Sequence, residues 1–469
     1  MLNSAFDRRR FVFRTTFAAC LISALVLIWG HRFLPISDYP DWMFQGSIVA
    51  QILHGKTLPS YSFKHYPVPH SATVALLGLL DLAFPPEVSG KTVLSLCVIL
   101  IALSSTYLLS SFTADIDSPL LLIPLLFLLN TFFFWGELAY LLGLSVLFLY
   151  CGYLFRRVYR IEPINWWLVG GASVAMYFCH FLPYATAILV TATLILAESR
   201  LELIPPCVIS LAPSLGLTIW YAVERSSLVP HGPAWMFWTP HQLAGRWLAS
   251  FSPFPEFLPW LGIQAPWMKE FAILNLAVAI ALTLVLPLCI FWWVRIRTRN
   301  FGVLACALVC AIAVVACGYE FEGMISPGER FLYPSVWLGL CWLIGEKLPG
   351  RVSAFSRALT TALIGLLAAQ IVFMQINVGA VSNELATLFA RLRSANSQTD
   401  FCATYETYLQ QSWDEPHRTG LDVLLTNHAS APRLPYYLYL QNNVAAPIFQ
   451  TGILNYSGNG DNEDLCKSR

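Results

Sequence analysis

Two carboxylates stand close together just after the first apolar run, in Ser37-Asp38-Tyr39-Pro40-Asp41-Trp42. A hydroxyl must lose its proton as it attacks, and a positioned carboxylate can accept it, so Asp41 and Asp38 are candidate general bases. Further on, Lys64-His65-Tyr66-Pro67-Val68-Pro69-His70 gathers a cation and two imidazoles. Such a group beside a lipid surface can hold a phosphate; alternatively Lys64 simply snorkels there. Glu137 sits in a tight aromatic turn with no basic neighbour in sequence. A charge at membrane depth is costly, so Glu137 is expected to be paired or functional. His180 occupies the turn between two short apolar runs, as a phosphate ligand or as a structural residue. Before a late apolar run the chain reads Ser326-Pro327-Gly328-Glu329-Arg330-Phe331-Leu332-Tyr333-Pro334, where Arg330 can grip a phosphate bidentately or anchor a helix at the interface.

The elements that carry these residues follow from composition. Apolar residues make up 57% of the 469 and charged residues 12%, against about 45–50% and 25% in soluble domains. The apolar residues fall in long runs, of the length that a hydrocarbon layer about 30 Å thick demands of a helix. Eleven runs read as spans: 17–29, 92–112, 119–134, 138–155, 164–178, 183–197, 203–223, 271–294, 301–317, 331–344 and 359–376. The fold class expected is therefore an all-α polytopic membrane protein with outer-surface juxtamembrane helices. The sixteen Trp suit a protein with two interfaces.

A twelfth run, Ser71–Phe84, is short and holds Asp81. If it does not cross, Arg156, Arg157, Arg160, Arg200, Arg295, Arg297 and Arg299 all face the cytoplasm, as basic residues should. It is accordingly read as a helix at the outer surface. The amphipathic stretch from Trp42 to Leu53 is read as a second helix lying in the interface. Residues 1–376 then form the transmembrane module, with outer loops at 31–91 and 224–269. Residues 377–469 form a small extracytoplasmic domain over the first loop. Ten of twelve Cys lie in or near spans as small apolar fillers; Cys402 and Cys466 are alone in the tail, paired or free.

A formal net charge of +1 excludes a nucleic-acid field. No nucleotide-phosphate loop, dinucleotide fingerprint or zinc spacing occurs. A donor activated by a lipid phosphate suits an active site on the outer side better than a nucleotide does.

Taken in order, the acidic pair after the first span, the helix ending at Gly55, the Tyr66-Pro67-Val68-Pro69 stretch and the Gly328-Glu329-Arg330-Phe331 entry resemble the GT-C class. These are multispan glycosyltransferases using polyprenyl-phosphate sugars, among them protein O-mannosyltransferases and the aminoarabinose transferase of lipid A. The resemblance covers about the first 340 residues. It implies Asp41 or Asp38 as the base, Asp41 preferred for its distance to Gly55, and Glu137 as a second acid. Lys64, His65, Arg330 and His180 would bind the donor phosphate. Lys64 with Pro67 and Pro69 is similar to the Lys-Pro-Pro stretch of the aminoarabinose transferase, at a different spacing. A divalent cation between the acids is compatible with the class. The acceptor would be a glycan, lipid or protein, and the location a bacterial inner membrane. A lipid-linked polysaccharide polymerase or ligase, and a transporter or flippase, are the competing readings. The first would place its large functional loop late in the chain. The second would show paired inverted halves, and none is found.

Overall fold

The computed structural model describes residues 2–36, 38–113, 119–226, 235–250, 266–296, 301–318, 320–321, 324–325, 327–345, 352–393 and 453–456. The chain is mostly helical with minimal sheet. Among the described residues, five helical segments are long and apolar enough to cross a membrane: Arg10–Gly30, Pro86–Ser110, Leu138–Arg160, Leu201–Arg225 and Leu276–Val294. This is an all-α membrane protein by helix length and composition. Most of the other apolar runs fall on shorter helices of 10–17 residues.

The helix order builds the bundle. α1 (Leu2–Gly30) is followed by α2 (Tyr39–Leu53), strand β1 (Tyr61–Phe63), α3 (Ser71–Asp81) and α4 (Pro86–Ser110). Residues 119–134, expected as one span, divide into a 3-10 helix at Pro119–Phe127 and the short α5 (Thr131–Trp135). Pro124 supplies no amide proton, which favours such a break. α6 (Leu138–Arg160), α7 (Trp166–Cys179) and α8 (Phe181–Ala197) pack on one another, and α9 (Ile204–Ser226) packs on α7. Then come β2 (Trp235–Met236), α10 (Pro240–Ser250), α11 (Pro266–Thr283), α12 (Val285–Ile296), α13 (Phe301–Ala316), β3 (Glu320–Phe321), β4 (Met324–Ile325) and α14 (Leu332–Gly345).

α3 has 11 residues, about 16 Å of helix, roughly half of a hydrocarbon layer. It packs on α2. A methyl on Gly46 would lie 2.6 Å from Leu77 Cβ, and one on Gly78 would lie 2.4 Å from Val49 Cγ1. Only glycine permits this approach. α3 and α4 cover α2, and eleven of its 15 residues are buried.

Among the described residues the last long helix, α15 (Val352–Arg393), has 42 residues and runs without a break through the expected boundary at 376. It is fastened to α1 and to the 3-10 segment by side-chain amides. Gln370 Nε2 donates to Leu126 O at 2.7 Å and Gln375 Nε2 to Ser23 O at 3.1 Å. The first bond satisfies a carbonyl that a terminating 3-10 helix leaves open in apolar surroundings. Beyond the bundle, the Phe389 ring packs on Phe33 with centroids 4.8 Å apart. β5 (Leu454–Tyr456) pairs antiparallel with β1, joining the tail to the first loop. The pairing of Cys402 and Cys466 lies outside the described residues, as does most of 377–469 beyond Arg393.

Candidate active site

The starts of α2, α6 and α8, the short α5, His70 before α3 and the 327–331 turn meet through contacts of Asp38 and Trp42 with 135–136, Glu137 with Arg330, and Tyr140 and His70 with His180. Three segments there are locked together around Gly136.

α5 ends in a Schellman turn. Gly136 has φ +78, its amide reaches Phe133 O at 3.0 Å, and the Glu137 amide reaches Phe132 O at 2.9 Å. The start of α2 sits on this turn. Asp38 N donates to Trp135 O at 3.0 Å, and Trp42 Nε1 donates to Gly136 O at 2.8 Å. Asp38 is the N-cap position of α2 and Asp41 lies in its first turn, where a negative charge is favoured by the helix dipole. Pro40, also in that turn, costs no helical hydrogen bond. Both acids are buried, Asp41 with 0% exposure, and Gln45 Nε2 donates to Asp41 Oδ2 at 3.0 Å.

Glu137, the next residue after the turn, forms an ion pair with Arg330 Nη2. This is the partner that its sequence surroundings lacked. Arg330 rises from a 3-10 turn, Gly328–Phe331, that rests on the end of α13 and opens α14. Its carbonyl accepts from Tyr140 Oη at 2.7 Å. The two side chains of the pair are 12% and 19% exposed, so they, rather than Asp41, meet the solvent-facing side. Glu329 beside them is buried at 1%.

From Tyr140 the chain of contacts continues to two imidazoles. The Tyr140 ring meets His180 edge-on at 5.5 Å, and His180 stacks on His70 with centroids 4.0 Å apart. His180 caps α8: its Nδ1 accepts from Leu182 N at 3.1 Å. The proton of the neutral ring then sits on Nε2. His70 precedes α3 with a left-handed backbone, φ 72, a conformation that histidine tolerates better than most residues. Burial, then Arg330, Arg225 and Lys64, push the His70 pKa down to about 3. Burial, His70 and Arg330 push His180 well below its usual range. Both rings are thus neutral near pH 7. Burial and then Arg225 lower the Lys64 amine to about 8.

Of the residues read from the sequence, the structure therefore joins Glu137 to Arg330 directly. It seats Asp38 and Asp41 on the turn before Glu137, and groups His180 and Lys64 with Arg330 through His70. His65 stands apart: its side chain is 74% exposed and contacts Glu224 at 3.3 Å on the rim. Arg225 and Tyr140 were missed. Arg225 ends a span at the same end as His180, a signal that counting alternate helix ends would have shown. Nothing in sequence distinguished Tyr140 from other aromatic residues at a helix start. Among the described residues no group of three or more His, Cys, Asp or Glu assembles to hold a metal ion.

A scan of protein-family models and searches of curated proteins and solved structures give no match for this chain.

Proposed function

We propose that this chain is a membrane glycosyltransferase that moves a sugar from a polyprenyl-phosphate donor to a hydroxyl outside the cytoplasm. The observation that carries the reading is the junction at Gly136. It holds two buried acids and a carboxylate–guanidinium pair on one turn, beside a cationic group that includes Lys64. A base next to a phosphate clamp is what such a transfer needs.

In this reading Asp41 takes the proton from the acceptor hydroxyl. The hydroxyl oxygen attacks the anomeric carbon, and the bond from that carbon to the phosphate oxygen breaks. Its electron pair leaves with the phosphate. Arg330 and Lys64 stabilise the charge that develops there, an electrostatic role that costs no reorganisation when the groups are already fixed. Attack opposite the leaving phosphate inverts the sugar carbon. Burial of Asp41 keeps bulk water from the base. A GT-C architecture, a bacterial inner membrane and an outward-facing site complete the proposal. Basic residues at the opposite end of the bundle, Arg156, Arg157 and Arg160 among them, support that orientation.

The test is donor consumption. The chain in nanodiscs, given polyprenyl-phosphate sugars and a membrane acceptor fraction, should release polyprenyl phosphate. Asp41→Asn keeps the shape and removes the base, so turnover should fall by about 10²–10⁴ with donor binding retained. Turnover unchanged in both Asp41→Asn and Asp38→Asn would end the assignment of a carboxylate base in this turn. Loss in Asp38→Asn alone would move the role to Asp38.

A further inference from the structure

α7 is short for its place. It has 14 residues, about 21 Å of helix, and packs against α6 and α9, each of 23 residues and about 34 Å. Contacts along α6 measure the shortfall. At one end the Tyr140 ring meets His180, the residue that follows α7. Just before α7, the Asn165 amide donates to Tyr153 Oη at 2.7 Å. From Tyr140 to Tyr153 is about 20 Å along α6, and α6 runs on to Arg160 for about 10 Å more. The step is confined to α7. Tyr159 Oη donates to Glu198 Oε1 at 2.9 Å just past the end of α8, so α8 reaches nearly the full depth of α6.

The chain that climbs back from Arg160 to α7 is polar and irregular. Residues 161–165 form neither helix nor strand, and Glu162, Pro163 and Asn165 are exposed. Arg157 Nη1 donates to Glu162 Oε2 at 2.7 Å, and the same guanidinium lies over the Tyr153 ring at 5.3 Å. Asn165 caps α7, its Oδ1 accepting from Trp167 N at 3.1 Å. At the edge of the step Trp167 is 91% exposed and Leu168 58%. Irregular backbone and an ion pair cannot face hydrocarbon, because their polar groups would find no partner there. Beside α7 the apolar layer therefore stops at the level of Asn165 and Trp167. That is about 20 Å from His180, against about 30 Å for an ordinary hydrocarbon layer. An indole suits that boundary.

We propose that the α6–α7 turn is a lipid-engaging surface that draws the headgroups of the leaflet at that end toward the bilayer centre, with Trp167 as its anchor. The membrane beside α7 is then thinner than around the rest of the bundle, and the lipids that fit there carry short chains. This does not rest on the transferase reading.

Melting of the full chain in vesicles of phosphatidylcholine with acyl chains of 14 to 22 carbons tests this. The midpoint should be highest in 14- and 16-carbon lipid and fall by several degrees toward 22 carbons, because mismatch costs free energy with each ångström. Replacing the ion pair of the step, Arg157→Leu with Glu162→Leu, should move the optimum to longer chains. Arg200→Gln, at the exposed pair with Glu202 on a neighbouring turn, should leave it in place. Hydrogen exchange in the wild type needs no variant: in 18-carbon lipid the amides of Glu162 and Ile164 should exchange faster than those within α7. A midpoint that ignores chain length, or peaks at 18 carbons or beyond, overturns the thinning. An optimum that Arg200→Gln moves as far as the double variant does overturns its assignment to the α6–α7 turn. Glu162 and Ile164 amides as protected as those of α7 place the step in hydrocarbon and end the proposal.

Discussion

A methyl group on Gly136 would lie 2.7 Å from the backbone nitrogen of Asp38, closer than real Cβ atoms come to another atom. The turn that precedes Glu137 is therefore moulded against the start of α2, and the acids at 38, 41 and 137 share one rigid junction.

Gly136→Ala meets two penalties at once: a left-handed φ of +78 and this clash. Gly55 has nearly the same φ, +79, but open space around it. Gly55→Ala should cost about 1 kcal/mol, the price of the backbone alone. Gly136→Ala should cost clearly more and abolish transfer. Melting of the two variants in the same detergent checks this, and equal losses would mean that the junction gives way without harm.

Glu137 and Arg330 are mostly buried together. Removing one charge leaves the other without its partner in poor solvent, which costs about 3 kcal/mol. Glu137→Gln and Arg330→Gln should each lower stability by that order. The double variant should recover part of the loss, because neither charge is left stranded. Strict additivity in the double-mutant cycle would show that the pair is not coupled.

Lys64 is held near a pKa of about 8 by burial and Arg225. It is a cation below that pH and loses its charge above it. Binding of the polyprenyl-phosphate donor should thus weaken between pH 7 and 9, with the histidines neutral throughout. Lys64→Arg keeps its charge over the whole range, so its affinity should stay level. A wild type with no decline across this window would contradict a charged Lys64 in the site.

Asp81 faces the joint between α2 and α3, its Oδ2 lying 3.3 Å from where a Gly46 methyl would be. Burial raises its pKa to about 6, with the nearby Ser89 hydroxyl opposing the shift. A raised folded pKa favours the protonated acid, so stability is full below the unfolded value of 3.8 and is lost as pH rises through about 6. Asp81→Asn should stabilise the chain at pH 7.5 by about 1 kcal/mol after allowance for solvent screening. That gain should vanish at pH 4. Melting curves at both pH values decide it.

The class of the chain was legible in its residues. Apolar runs of bilayer length declare membrane helices because each backbone polar group in lipid must be satisfied within its own segment. The same logic marked Glu137 as a charge needing a partner, and Asp38, Asp41, Lys64 and Arg330 as chemistry at helix ends. What periodicity cannot convey is which helix ends meet, since that depends on packing between segments far apart in sequence. Only the tertiary structure showed that Arg330 answers Glu137, that α3 buries α2 through Gly46 and Gly78, and that α15 passes residue 376 without ending. It alone set His65 on the rim and Arg225 beside Lys64, although His65 and Lys64 are neighbours in the chain. Adjacent residues on an irregular loop point to different surroundings, and a bridging Tyr177 hydroxyl, not sequence distance, brings α9 to that loop.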